Sequence, residues 1–123
     1  PDLPSDHVVE VSAQIGAAGA VPMAFGHFQP AERGWLQLMK NMELVIVEAA
    51  VTGDYGLALQ AFTMNPLIPS GATAKRVLDE LLIAHQAYLP QFADKIQALI
   101  AAGIMVQDTV AAELSEVTQV VSD

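Results

Sequence analysis

The sequence predicts an α+β fold that is predominantly α-helical, with short N-terminal β segments followed by about five helices. Three observations carry this. β-branched residues crowd the first fifteen positions, at Val8, Val9, Val11 and Ile15. From Pro30 onward, apolar residues recur at three- and four-residue spacing. Between the periodic stretches, Gly53, Pro66, Pro69, Gly71, Pro90 and Gly103 fall where helices of ordinary length would stop.

Taken in order, residues 1–6 form an extended polar entry. Residues 7–15 read as a short strand interrupted by Glu10. Gly16 and Gly19 with the small residues between them make a turn, and residues 20–25 return as a second extended segment. Pro22 confines that segment to an edge or to irregular pairing, because proline has no N–H for a ladder. Pro30 suits the start of a helix over 31–52, and Glu32 complements its first-turn dipole. Trp35, Leu38, Met39, Met42, Val45, Ile46 and Ala49 form its apolar stripe, widened by Leu36, Leu44, Val47 and Val51. A helix apolar on most sides is central to a fold or shared with another chain.

Gly53 is placed to stop that helix, and Asp54 to cap a short one running to about Met64. Ser70 is the N-cap expected for a third helix over 71–88. Its apolar face holds Ala74, Val77, Leu78, Leu81, Leu82 and His85. Opposite lie the i, i+4 pairs Lys75/Asp79 and Arg76/Glu80, which read as a solvated face. Pro90 breaks the path. A fourth helix over 91–102 ends at Gly103, and Asp108 caps a fifth over 109–121.

Composition narrows the function. The 123 residues suit a single domain, with 53% hydrophobic and only 15% charged side chains, against a usual charged share of about a quarter. A domain this small leaves some of that apolar surface exposed unless a partner covers it. The formal charge of −9, from 14 acidic and 5 basic residues, argues against nucleic acid and against an anionic membrane surface. Absence of cysteine removes disulfides, thiolate metal sites and thiol nucleophiles. The chain opens at Pro1 without a basic and apolar leader, and 98–106 is too short an apolar run to span a bilayer. The expectation is a soluble, cytoplasmic piece cut from something longer.

Candidate chemistry is sparse. His7 and His27 flank the extended segments and read as surface residues, while His85 on the apolar face reads as a core or interface histidine. No His-Glu-x-x-His or Glu-x-x-His pattern occurs. Glu43 and Glu48 are five apart, so they point to different sides of one helix and cannot flank one bond as paired catalytic carboxylates do. Glu10 either faces a cleft or is a solvent-facing strand position. The Gly16–Gly19 loop follows a strand without opening a helix, so it lacks the context of a phosphate cradle. The methionines read as core and interface filler. From the residues alone we assign no catalytic, cofactor-binding or metal-binding residue.

Several blocks nevertheless recur in a recognisable order: HVVEV at 7–11, AVPMAFG at 20–26, VEAAVTGDYGLALQAF at 47–62, NPLIPS at 65–70 and AKRVLDELLIAHQAYLPQF at 74–92. In that order and spacing the chain resembles the C-terminal domain of glycoside hydrolase family 4, nearest its 6-phospho-β-glucosidase branch. The resemblance covers residues 5–92, and 93–123 are read as extra C-terminal helices. Two departures stand out, Ser12 where the family's strand usually has proline and Ala18-Gly19 where it has an Asn-Gly turn.

The resemblance implies the C-terminal helical domain of a larger, Rossmann-type α/β enzyme. Such enzymes use NAD and a divalent metal, commonly Mn²⁺, to oxidise the sugar, eliminate the glycosidic oxygen and add water and hydride back. It places the NAD-binding domain and the catalytic and metal-binding residues outside this chain, which would itself bind no cofactor. The implied partners are that N-terminal Rossmann domain and further copies of the protein through helical faces. Two other readings remain open: a free-standing helical interaction module derived from such a domain, and a small acidic enzyme in which Glu10 meets a histidine.

Overall fold

The structure is a computed structural model, and it describes residues 2–5 and 7–106. Two short antiparallel strands, β1 (Ala13–Gly16) and β2 (Gly19–Pro22), precede four α-helices: α1 (Pro30–Thr52), α2 (Tyr55–Met64), α3 (Gly71–Ala84) and α4 (Ala93–Ala101). Two 3-10 turns, Gln86–Tyr88 and Pro90–Phe92, link α3 to α4. The helix expected over 109–121 lies outside the described residues. The chain divides into two compact units that meet in sequence between Leu44 and Val45.

In the first unit the strands form a hairpin with Ala13 opposite Pro22 and Gly16 opposite Gly19. The turn residues Ala17 and Ala18 keep negative φ, and Gly19 takes φ 103° to bring the chain back. β1 begins six residues later than the strand expected over 7–15, so Glu10 lies outside it. Pairing needs a partner, and β2 ends at Pro22; among the described residues the segment 7–11 has no strand opposite it.

The second unit holds the core. Ala49, Ala58, Leu78, Leu82, Phe92, Ile96 and Leu99 form one buried cluster, flanked by Ile46, Tyr55, Leu57, Leu59, Phe62, Ile83, Leu89 and Ile104. Small side chains dominate where helices meet: Ala49, Ala58, Ala61 and Ala74 are all buried, which lets backbones approach closely while leucine and aromatic side chains fill the gaps.

The stops and caps of these helices follow from local chemistry. Gly53 ends α1 with φ 74°, its N–H bonding the Ala49 carbonyl at 2.8 Å. Asp54 caps α2 by accepting from the Leu57 N–H at 2.9 Å, and Ser70 caps α3 by accepting from the Thr73 N–H at 3.1 Å. Gly103, at φ 78°, closes α4 in a Schellman arrangement. The Ile104 N–H reaches the Leu99 carbonyl at 3.2 Å, and the Gly103 N–H reaches that of Ile100 at 2.9 Å. That turns Ile104 onto the core.

The third helix stops four residues short of its expected end at Tyr88. Pro90 excludes helical geometry at Leu89, which adopts φ −123°, ψ 56°, and the chain descends through two 3-10 turns instead. His85, expected on the apolar face, becomes the C-terminal cap of α3 and is exposed within the chain.

Gly53 carries a second constraint. A Cβ there would lie 2.2 Å from the Gln91 carbonyl oxygen. At Gly103 the φ is similar but the space is open. Gly103→Ala is therefore expected to lose about 1 kcal/mol of stability, the left-handed penalty alone. Gly53→Ala adds a backbone collision and is expected to lose more than about 2 kcal/mol. Urea denaturation of the two variants checks the order, and equal losses would show that Gln91 yields freely.

Candidate functional site

Two polar clusters stand out, one in each unit. In the first unit the Asp2 carboxylate accepts from the Phe28 N–H at 2.7 Å and from His27 Nδ1 at 3.0 Å. Arg33 Nη1 lies 3.7 Å away, and Gln37 Nε2 donates to the Asp2 carbonyl at 3.0 Å. The Asp2 side chain is only 6% exposed while that of His27 is 72% exposed. The hydrogen bond from His27 and then that from Phe28 hold the Asp2 carboxyl below its usual range, against the opposing effect of desolvation. The Phe25 and Phe28 rings stack nearby with centroids 4.7 Å apart. The cluster fastens the start of the chain to the entry of α1.

In the second unit Asp79 of α3 is buried, contrary to the solvated face expected from its spacing to Lys75. Its Oδ1 accepts from the Tyr55 hydroxyl at 2.7 Å, and its Oδ2 pairs with Lys75. Lys95 Nζ sits 3.9 Å above the Tyr55 ring. Burial first, and then the bonded Asp79 carboxylate, raise the Tyr55 phenol above its ordinary value. Among the described residues no buried side-chain polar atom lacks a partner. Glu80, by contrast, remains on the more open side, with Arg76 Nη1 3.9 Å away.

Neither cluster has the makings of a catalytic centre. Each carboxylate already spends its oxygens on fixed donors, which opposes service as a base. An open pocket of about 170 Å³ beside Asp79 is lined by Ala72, Lys75, Arg76, Asp79 and Ile104, well below the roughly 300–1,000 Å³ of small-molecule sites.

The sequence candidates are not gathered into a site either. Glu10 is exposed and lies outside the strands, and His7 is partly buried rather than a plain surface residue. Glu43 pairs with Lys40 at 2.6 Å, and Glu48 is exposed. The Gly16–Gly19 segment is a hairpin turn. Among the described residues no three His, Cys, Asp or Glu side chains are placed to hold a metal ion. The described residues thus gather no three-ligand set for a divalent metal. No described helix is long and apolar enough to cross a membrane.

Large apolar side chains are exposed instead. Val8, Ile15, Met23 and Phe25 lie in the first unit, and Val47, Val51, Leu67 and Tyr88 in the second. Residues 1–68 match the family 4 glycosyl hydrolase C-terminal domain. The chain belongs to glycosyl hydrolase family 4.

Within the family it is 51% identical over 96 residues to a probable 6-phospho-beta-glucosidase of Bacillus subtilis, covering 78% of this chain and 22% of that protein. It is 32% identical over 99 residues to the 6-phospho-beta-glucosidase of Escherichia coli, covering 80% and 22%. Against the maltose-6'-phosphate glucosidase of Fusobacterium mortiferum it is 33% identical over 86 residues, covering 70% and 20%. The chain therefore spans about a fifth of the length of the curated relatives it matches.

Two outcomes are expected of the clusters. Tyr55→Phe leaves the buried Asp79 short of a donor and should lower stability by about 1.5–3 kcal/mol. The raised phenol places its stabilisation below the unfolded tyrosine value near 10, to be lost as pH rises through the higher folded value. Ultraviolet titration of tyrosinate checks this, and Asp79→Asn should bring the Tyr55 titration down. At Asp2 the sign reverses. Its carboxyl is depressed, so the fastening is present above the unfolded aspartate value of about 3.9 and is lost as pH falls through the lower folded value. Loss of amide-exchange protection at Phe28 under acid, and in Asp2→Asn at neutral pH, would show it.

Proposed function

We propose that this chain is the C-terminal structural and oligomerisation domain of a cytoplasmic 6-phospho-β-glucosidase-like hydrolase. The whole protein would cleave 6-phospho-β-glucosides by NAD- and divalent-metal-dependent oxidation and elimination, with manganese the foremost metal. The observation that carries the substrate class is the 51% identity over 96 residues to a probable 6-phospho-beta-glucosidase. The maltose-6'-phosphate glucosidases match at 33% and 30%.

A structural role for this segment rests on what its side chains do. Its buried carboxylate holds α2 and α3 together through Tyr55, and Asp2 fastens the chain entry. The exposed apolar residues fit contacts with the nucleotide-binding domain and with further copies of the protein. Bound NAD would supply a hydride acceptor and the metal would polarise the sugar. Both would be held by residues outside those described, so no step of the reaction is assigned to a side chain of this segment.

The test uses the complete polypeptide that contains this sequence, assayed with chromogenic 6-phospho-β- and 6-phospho-α-glucosides. Hydrolysis of the β-anomer is expected to exceed that of the α-anomer by at least about tenfold, a difference of about 1.4 kcal/mol in transition-state binding. It should vanish without NAD or after chelation, and residues 1–123 alone should turn over neither. Faster α-hydrolysis would move the protein to another branch of the family, and turnover by the segment alone would sink the structural role.

A further inference from the structure

We propose that the outer edge of β1 receives a strand from the part of this polypeptide that lies outside residues 1–123. The proposal rests on the reading of the chain as one segment of a longer family 4 protein. The hairpin itself supplies the geometry. Antiparallel pairs alternate between residues that exchange hydrogen bonds and residues that do not. The Met23 N–H donates to the Ser12 carbonyl at 2.8 Å. With Ala13 opposite Pro22 and Gln14 opposite Val21, the bonded pairs in phase are Gln14/Val21 and Gly16/Gly19. The backbone groups of Ala13 and Ile15 on one strand, and of Ala20 and Pro22 on the other, therefore point away from the hairpin.

The two outer edges are not equivalent. On β2 one of the two outward positions is Pro22, which has no N–H and blunts that edge. On β1 both Ala13 and Ile15 carry donor and acceptor, and Val11 continues in the same phase. β1 has no lysine, proline or bulge, the devices by which strands left open are usually protected. Side-chain alternation adds Val11, Ala13 and Ile15 on one face, with Val11 50% and Ile15 76% exposed. A lone two-stranded hairpin is marginal in water, and a third strand on this edge corrects that.

The occupant follows from what lies outside the segment. The relatives are about five times longer than the span they share with this chain, so extended segments of the same polypeptide are available at high effective concentration. A strand from a second copy competes only at the concentration of the free protein, without that intramolecular advantage.

Amide exchange resolved by residue in the complete protein tests the edge directly. Ala13 and Ile15 are expected to exchange at least about 100-fold more slowly than Ala20. Ile15→Pro removes an outward donor while leaving the hairpin's own bonds, and should abolish protection at Ala13. Ala20→Pro should leave that protection intact, which controls for a hairpin disturbed by proline as such. Equal exchange at Ala13, Ile15 and Ala20 would overturn the proposal. So would photocross-links from position 14, in a mixture of ¹⁴N and ¹⁵N protein, that join light chains to heavy ones, because the occupant would then be a second copy. Exchange is read without reference to hydrolysis, so an inactive protein with a protected β1 would count against the proposed substrate and leave this edge assignment standing.

Discussion

The contact on which the second unit depends is the approach of the Gln91 carbonyl to Gly53. A side chain at position 53 would occupy the space that this backbone fills, so the end of α1 can sit against the 3-10 turn Pro90–Phe92 only because position 53 has none. The buried cluster is arranged around that meeting. Ala49 lies one turn before Gly53 on α1, and Phe92 follows Gln91 directly. Asp54 then starts α2 without a connecting loop, and Ala58 reaches the same cluster. A glycine with φ 74° thus does two jobs, reversing the chain and admitting a neighbouring backbone.

Buried Asp79 is the polar counterpart of this packing. A carboxyl group at 1% exposure is tolerated only where its oxygens are bonded, and Tyr55 and Lys75 supply those bonds from α2 and α3. Lys95 adds charge over the Tyr55 ring from α4. Three helices are therefore tied at one point by groups that discriminate between correct and slipped packing, which apolar contacts between alanines do poorly. The same bonds engage both carboxylate oxygens, so the group that secures the fold is held in one orientation.

Much of the helical architecture was legible because it rests on short-range chemistry. Pro30, Gly53, Asp54, Ser70 and Gly103 mark boundaries by their own φ preferences or side-chain oxygens, and the structure uses each in that way. The misplaced features depend on context that helix periodicity and strand propensity do not carry. Asp79 read as solvated because Lys75 is four residues away, whereas the Tyr55 hydroxyl that accompanies its burial lies 24 residues away. His85 followed the apolar period, but the constraint from Pro90 had already ended the helix at Ala84. The strand expected over 7–15 was a statement about propensity, and pairing shortened it to Ala13–Gly16. The Asp2 fastening gave no sequence signal, since its partners His27, Phe28 and Arg33 form no motif with it.

The two units solve the burial of apolar surface differently. In the second, alanines and leucines close a core of their own. In the first, every residue of the hairpin is exposed, and so are Val8, Val9, Val11, Met23 and Phe25. Polar fastening through Asp2 orders the chain entry but covers little of that surface. A segment this short with this much apolar exposure is unfavourable in water unless something lies on it. The high hydrophobic and low charged content of the sequence agrees with that exposure, which exceeds what the core of the second unit covers.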